Sequence, residues 1–187
     1  MKQSIYILLF FILGLFGNRA NAQNNFRIII SAESKAEFVT FSNLITYYSL
    51  LEQFQEGSTA IQLSAYDCDA SSSLTKSLII DLAGFNLANP SGYSCTLSDT
   101  KWFALKNSTG SGVFSGKIKF GGTGAILKVY SSNVLGSGFS IDGDGASGKI
   151  EIGDGTTPVT QSINSSQCNG KVSLFTVTSN ATLIVSM

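Results

Sequence analysis

Residues 78–87 read Leu-Ile-Ile-Asp-Leu-Ala-Gly-Phe-Asn-Leu, a short apolar run that a glycine and an asparagine break. Similar runs recur along the chain, and their apolar positions are separated by steps of roughly 23 residues: Ile80, Phe103, Ile126, Ile150 and Leu174. A second track joins Ile118 to Phe139. Repeats of about 20 to 30 residues with short strands are typical of solenoids, in which each coil buries an apolar face against its neighbours. The sequence therefore predicts an all-β fold of stacked coils.

The runs between the turns are too short for the paired strands of a sandwich. Ser, Thr, Asn and Gly are abundant, Pro occurs only twice and His is absent, a composition that favours strands joined by tight turns. The predicted strands cover residues 61–63, 78–82, 102–105, 113–120, 126–130, 139–141, 149–152, 172–177 and 183–185.

One helix is predicted ahead of the coils. Its apolar face consists of residues at three- and four-residue steps: Phe38, Phe41, Leu44, Ile45, Tyr48, Leu51 and Phe54. Ser34 and Glu37 have the spacing of a capping box, and Ser42 is an alternative start. Gly57 is predicted to end the helix.

Several segments carry a resemblance to a known family: Phe41-Ser-Asn-Leu, residues 57–63 and residues 78–87. Together they resemble the N-terminal cap and first coil of right-handed parallel β-helix proteins of the pectin-lyase-like superfamily. Residues 139–145, Phe-Ser-Ile-Asp-Gly-Asp-Gly, are similar to a coil that precedes the catalytic coils in polygalacturonase-like members. The resemblance implies a right-handed parallel β-helix whose open N-terminal end is closed by an amphipathic helix.

The catalytic residues of that family find no match in this chain. Polygalacturonase-like glycosidases use clustered carboxylates supported by His, Arg and Lys, and pectate lyases use a calcium-binding carboxylate cluster with a strong base. The sequence has no adjacent Asp-Asp pair, no His and no Arg-Ile-Lys motif. We therefore assign no catalytic residue and expect a non-catalytic protein.

The N-terminus has the pattern of a cleavable signal peptide over residues 1–22. Lys2 supplies the positive charge, residues 5–16 are almost wholly apolar, and Ala20-Asn-Ala22 matches the small-x-small cleavage pattern. The apolar run is shorter than the roughly 20 residues that span a bilayer, so no membrane span is expected after processing. The sequence predicts secretion to the extracellular space or cell surface. It further predicts an N-terminal segment with the cap helix over 23–60 and β-helix coils over 61–187.

The low and balanced charge of the processed chain limits the classes of partner that it can bind. Without Lys2 and Arg19 the chain has ten basic and twelve acidic side chains. Such a sparse and balanced charge argues against nucleic acid, which requires a basic patch. No cofactor is expected, apart from a candidate Ca²⁺ site formed by Asp142, Asp144 and Asp154, whose Gly-rich turns lie one strand apart. The alternative is that these residues only form tight turns, where Asp and Gly are both favoured.

Exposed aromatic rings are the candidate ligand-binding residues, because polysaccharide-binding solenoids stack such rings on sugars. Tyr93, Trp102 and Tyr130 are the candidates. Residues alternate between the two faces of a strand, and the repeat places Phe103 inside the solenoid, so Trp102 is predicted to face outwards. The alternative is that Trp102 packs beneath a loop.

Cysteines and sequons suggest covalent modifications. Cys68 and Cys95 flank one strand-like segment and are a candidate disulfide, which leaves Cys168 as a free thiol or an intermolecular link. The acceptor pattern for N-glycosylation occurs at three positions: Asn107, Asn164 and Asn180.

These observations favour a secreted, non-catalytic β-solenoid module, a surface adhesin or polysaccharide-binding scaffold. One alternative is the N-terminal portion of a polysaccharide-degrading hydrolase or lyase, with its catalytic coils beyond residue 187. A second is a self-assembling extracellular structural protein. Both alternatives rest on residues 181–187, which read as a strand with no capping element, so the last coil is also expected to be incomplete or to self-associate.

Overall fold

The computed structural model describes residues 23–187. The predicted signal peptide, residues 1–22, lies outside the described residues. The chain folds into a parallel β-solenoid of about six turns. The predicted all-β solenoid is thereby confirmed. Within the described part of the chain, no helix is long and apolar enough to cross a bilayer.

Short strands alternate with tight turns along the described chain. One α-helix, α1 (Phe41–Leu50), precedes the coils, and a 3₁₀ turn covers Ser165–Cys168. The strands are β1 (Phe26–Ser31), β2 (Ser34–Phe38), β3 (Thr59–Gln62), β4 (Tyr66–Asp67), β5 (Ser72–Leu74), β6 (Leu78–Asp81), β7 (Leu87–Ala88), β8 (Ser94–Leu97), β9 (Trp102–Lys106), β10 (Phe114–Ser115), β11 (Lys117–Phe120), β12 (Ile126–Val129), β13 (Ser140–Ile141), β14 (Gly148–Ile152), β15 (Val159–Asn164), β16 (Val172–Val177) and β17 (Ala181–Ser186).

Successive coils place one strand each in the same sheet. The largest sheet has the order β16-β14-β12-β9-β6-β3-β1-β2, with parallel pairing from β3 to β16 and antiparallel pairing of β1 with β3 and of β1 with β2. The other sheets are β10-β7-β4, β13-β11-β8-β5 and β15-β17, all parallel. Parallel neighbours separated by one whole coil are the defining arrangement of a solenoid.

The core is a set of apolar rows that run through the coils. In the largest sheet one inward row is formed by register partners, all buried: Ala60, Ile80, Leu105, Val129 and Ile152. Phe114 bridges two walls of the interior, with ring centroids 6.1 Å from Phe103 and 6.3 Å from Phe139. Gly148 is required where the chain passes Phe120, because a Cβ there would lie 2.4 Å from that ring. Burial of these rows is the main stabilising contribution.

The predicted period is right, but its register is wrong. Phe103 stacks on Leu127, whereas Ile126 stacks on Trp102 at the outer surface. Ile118 likewise pairs with Ile141 and not with Phe139. A one-residue error in register moves a side chain from the core to the opposite face, which is why the first track mixed buried positions such as Phe103 with outward ones such as Ile126.

The helix begins later than its apolar pattern indicated. Residues from Ser34 to Phe38 form β2, and the N-cap is Thr40, whose hydroxyl accepts a hydrogen bond from the Asn43 amide at 3.0 Å. The helix ends at Leu50, well before Gly57. Its buried side chains are Phe41, Leu44, Ile45 and Tyr48.

Sequence patterns found the strands of the largest sheet from β3 onwards and missed several others. The predicted run 113–120 is two strands, because the chain bends at Gly116, where a Cβ would lie 2.3 Å from Phe114 Cζ. The strands that were not predicted are β1, β2, β4, β5, β7, β8 and β15.

Candidate functional site

Trp102 faces outwards at the start of β9. Phe103 is fully buried and Trp102 only partly, as the alternation along the strand predicts. The indole benzo ring passes Gly57, where an added Cβ would lie 3.5 Å from its Cζ2. Such a Cβ would be in ordinary van der Waals contact with the ring, and glycine is favoured at position 57 by its positive φ of 82°.

Lys128 of the next coil extends over the ring of Trp102. Its Nζ lies 5.2 Å from the ring centroid and 3.3 Å from Glu151 Oε1 on the following strand. Register explains this arrangement, since Ala104, Lys128 and Glu151 are successive outward partners. Ala104 is fully buried although it is outside the core cluster, so larger neighbours on the outer face cover it.

Tyr130 joins this group because it lies two residues after Lys128, on the same face. Its backbone N–H donates to Leu105 O at 2.8 Å, which continues the sheet one residue beyond β12. Burial raises the pKa of Tyr130, and the nearby ammonium of Lys128 partly offsets that effect. We call this set of residues the outer ladder: Trp102, Lys128, Tyr130 and Glu151.

The outer ladder combines two aromatic rings with the Lys128 ammonium as a donor, the Glu151 carboxylate as an acceptor and the Tyr130 hydroxyl as either. A cation above an exposed aromatic ring is worth roughly 0.5–1 kcal/mol, and a partly exposed ion pair contributes about 0–1 kcal/mol. Neither contact is strong enough to prevent Lys128 from moving when a ligand competes for the ring. The face can therefore both stack against an apolar ring face and bond to hydroxyl groups.

Tyr93, the remaining aromatic candidate, is not in the outer ladder. It is 39% exposed in the turn between β7 and β8. The side chain of Asn89 fixes its backbone, accepting from Tyr93 N and donating to Tyr93 O. Tyr93 thus provides an exposed ring away from the ladder.

The three candidate calcium ligands lie in two separate turns. Asp142 accepts from the Ser94 hydroxyl and the Asp144 amide, and these bonds hold its pKa below the ordinary value. Asp154 accepts from Thr156 N at 2.8 Å and Thr157 N at 2.9 Å, which lowers its pKa in the same way. Among residues 23–187, no three His, Cys, Asp or Glu side chains are grouped closely enough to hold a metal.

All three cysteines are buried and carry free thiols. Burial is the main cause that raises the pKa of Cys68 and of Cys95 to about 12, and the neighbouring Cys95 adds to the shift at Cys68. Burial also raises the pKa of Cys168. The disulfide between Cys68 and Cys95 stays a prediction.

The asparagines of the three sequons differ in the hydrogen bonds that their side chains make. Asn107 Nδ2 donates to Gly112 O at 2.6 Å and Oδ1 accepts from Gly84 N, so a glycan on Nδ2 would crowd the first of these two bonds. Asn164 caps the 3₁₀ turn by accepting from Ser166 N at 2.9 Å. Asn180 is exposed and makes only long bonds to Gly155 and Thr156. A glycan at Asn180 would therefore disturb weaker side-chain hydrogen bonds than a glycan at Asn107 or Asn164.

An open groove of about 400 Å³ lies between α1 and the sheet that contains β5 and β8. Its lining is mostly hydroxyl-bearing: Thr46, Ser49, Leu50, Ser71, Ser72, Ser73, Thr75 and Thr96. It holds neither an aromatic ring nor a charged group, so it offers fewer kinds of contact than the outer ladder.

Sequence reasoning missed Lys128 as a site residue. Lys128 becomes recognisable only when the coil register is known, because its sequence neighbours give no sign that it reaches Trp102 on the preceding coil. No family model, curated protein or solved structure matches this chain.

Proposed function

We propose that this protein is a secreted, non-catalytic β-solenoid that binds a polysaccharide or a cell-surface glycan along the outer ladder. The observation that carries the proposal is the outward indole of Trp102, with the ammonium of Lys128 above it and Glu151 one coil further on. Secretion rests on the residues of the predicted signal peptide.

The ladder suits a linear sugar chain for a geometric reason. Neighbouring strands lie about 4.8 Å apart, so Trp102, Lys128 and Glu151 present their groups over roughly 10 Å along the solenoid axis. A sugar ring has an apolar face for an indole and a rim of hydroxyls for charged donors and acceptors. Mixed aromatic and polar contacts of this kind fix both position and orientation.

We also propose membership of the right-handed pectin-lyase-like β-helix superfamily. Stacked parallel coils and an amphipathic helix before the first coils support it. The fold alone does not imply an activity, because similar solenoids carry several unrelated functions.

Binding is best tested with Trp102→Ala. Trp102 is the only tryptophan, so its emission reports directly on ligand stacking in the wild-type protein. We expect one or more members of a panel of acidic and neutral polysaccharides to change that emission and to retard the protein in affinity electrophoresis. Trp102→Ala should weaken the retardation about tenfold or more, the loss of roughly 1.4 kcal/mol, with an unchanged far-UV circular dichroism spectrum.

Tyr93→Ala is the matched control, because it removes an exposed ring that lies off the ladder. Lys128→Ala should weaken binding by a smaller factor than Trp102→Ala. Equal retardation of wild type and Trp102→Ala on every polysaccharide would refute the proposal. Release of reducing ends from a retained polysaccharide would contradict the non-catalytic part of the proposal.

A further inference from the structure

The sheet face that carries the outer ladder holds most of its charges in ion pairs. Three pairs lie on this face or beside it: Lys106 with Asp81 at 3.6 Å, Lys128 with Glu151 at 3.3 Å and Lys101 with Glu56 at 2.9 Å. Strand register produces the first two, because each lysine is the partner of its carboxylate residue on the neighbouring coil. At moderate ionic strength the field of such a pair is screened within a Debye length of about 10 Å. A ligand that approaches this face therefore meets little net charge from the pairs.

Two further charges near the ladder have opposite signs. Lys149 lies on the same face of β14 as Glu151, two residues earlier, and within the described chain it forms no ion pair. Asp154 follows β14. Burial is the main cause that raises the pKa of Tyr130, and the carboxylates of Glu151 and Asp154 add to that shift. The charges around the ladder thus balance.

The neighbouring wall of the solenoid differs in charge and in chemistry. In β11 the buried and outward residues alternate, so Lys117 and Lys119 lie on the same outward face. Neither lysine forms an ion pair among residues 23–187. Their register partners carry hydroxyl groups and no ring: Ser94, Thr96 and Ser140. This wall has unpaired cations without an aromatic surface, whereas the ladder has aromatic surface with paired charges.

An ion pair suits the hydroxyls of a neutral sugar better than it suits an anion. The Lys128 ammonium can donate to one hydroxyl while the Glu151 carboxylate accepts from its neighbour. Such charge-assisted hydrogen bonds are roughly twice as strong as neutral ones. An anionic sugar would instead compete with Glu151 for the ammonium and would be repelled by that carboxylate.

We propose that the outer ladder selects a neutral polysaccharide with neighbouring hydroxyl groups and discriminates against polymers that carry carboxylate or sulfate. Trp102 stacks on the apolar face of one sugar, and the ion pair of Lys128 with Glu151 binds the hydroxyls beside it. This selection rests on the proposed function, because it names the class of glycan that the same site binds. Specificity of this kind comes as much from repulsion of the wrong ligand as from attraction of the right one.

Two pairs of polymers test the selection, because the members of each pair share a backbone and differ in charge. They are hydroxyethyl and carboxymethyl cellulose, and galactomannan and carboxymethyl galactomannan. Titration of the Trp102 emission with each polymer, at about 20 and about 500 mM NaCl, gives the dissociation constants. We expect a neutral polymer to bind about tenfold or more tightly than its carboxymethylated form. Its dissociation constant should change less than about twofold between the two salt concentrations.

Glu151→Gln separates charge from shape, because glutamine has nearly the same size and leaves the Lys128 ammonium unpaired. This variant should bind the carboxymethylated polymer about threefold or more tightly than wild type at low salt, and the gain should vanish at high salt. Asp67→Asn is the matched control. It removes the same charge from an exposed position in β4, on another sheet, and should leave both affinities unchanged.

The outcomes separate this selection from the proposed function. Binding that depends on Trp102 but favours the carboxymethylated polymers would overturn the selection and leave the proposed function standing. So would neutral-polymer binding that high salt abolishes, or a Glu151→Gln variant that gains no affinity for the acidic polymer. Absence of binding to every polymer would overturn both.

Discussion

The first and last coils of the described solenoid differ in how far their apolar side chains are covered. At the first end, α1 and the β1–β2 hairpin cover the core, and Phe26 and Phe41 are 0% and 2% exposed. At the last end, Val177 and Val185 are 43% and 49% exposed, although their register partners in the preceding coil are buried. The first edge carries charges and the last carries none. A repeating fold thus requires distinct end elements, because its internal repeats bury their faces only against a neighbour.

Core truncation should show the largest difference between the two ends. Phe41→Ala removes a buried ring whose centroid lies 5.8 Å from that of Phe26, and we expect a loss of about 3–5 kcal/mol in the free energy of unfolding. Phe175→Ala in β16 removes a half-buried ring and should cost about 1–2 kcal/mol. Urea unfolding of each variant measures both. Equal costs would show that the last coil is packed as firmly as the first.

High pH should destabilise the first coils through their thiols. The ordinary pKa of 9.0 is raised to about 12 at Cys68 and Cys95, so the unfolded chain loses these protons first. Stability is complete below pH 9 and falls as the pH rises towards 12, by about 1.4 kcal/mol per pH unit for each thiol. Urea midpoints measured from pH 8 to 11 with a reductant present should decline accordingly. Tyr66, whose pKa burial raises to about 12, adds to the decline above pH 10.

Two variants localise this alkaline effect. Cys95→Ala should flatten the pH dependence more than Cys168→Ala, because burial raises the pKa of Cys95 further than that of Cys168. An equal response of the two variants would contradict the assignment to the first coils. A slope that becomes much shallower without reductant would indicate that Cys68 and Cys95 form the predicted disulfide.

The coil period was predictable from sequence, but the register was not. Partners along the inner row from Ile80 to Val177 are separated by 25, 24, 23 and 25 residues. A fixed step of 23 residues falls progressively short of these partners. It therefore reaches the inner face of some strands and the outer face of others. The separation varies because the turns between the strands differ in length, and no pattern of apolar residues reveals those lengths. Trp102 could therefore be placed outside, whereas its contact with Lys128 could not be foreseen.

The β1–β2 hairpin was not predicted from the sequence, for a different reason. Ser34 and Glu37 match the spacing of a capping box, yet Glu37 instead accepts from Arg27 Nε across the β1–β2 pair at 2.8 Å. A local motif cannot show that a partner ten residues earlier in the chain will compete for the same carboxylate. Strands as short as β4 and β7, two residues each, likewise carry no periodic signal.

Loss of the helix cap should produce a moderate effect at the first end alone. Thr40 accepts from the Asn43 amide, and replacing a threonine N-cap by alanine costs about 1 kcal/mol. Thr40→Ala should therefore lower the urea midpoint and speed amide exchange in α1, while exchange in β16 stays unchanged. Thr40→Ser is the matched control and should retain most of the stability, because serine is an equally good N-cap. Faster exchange in β16 would show that the two ends are coupled.

Low pH should have the smallest effect, confined to the hairpin. The Lys35 ammonium, with Arg27 and Asn24, holds the pKa of Glu37 below its ordinary value of 4.5. These contacts therefore contribute stability above pH 4.5 that is lost as the pH falls through the lowered value, and being partly exposed they are worth about 1 kcal/mol or less. Amide exchange in β1 and β2 should accelerate between pH 5 and pH 3, after correction for the intrinsic rate. Residues 172–187 have no side chain that titrates in this range, so amide exchange in β16 should not change. Faster exchange in β16 would show that the two ends of the solenoid unfold together.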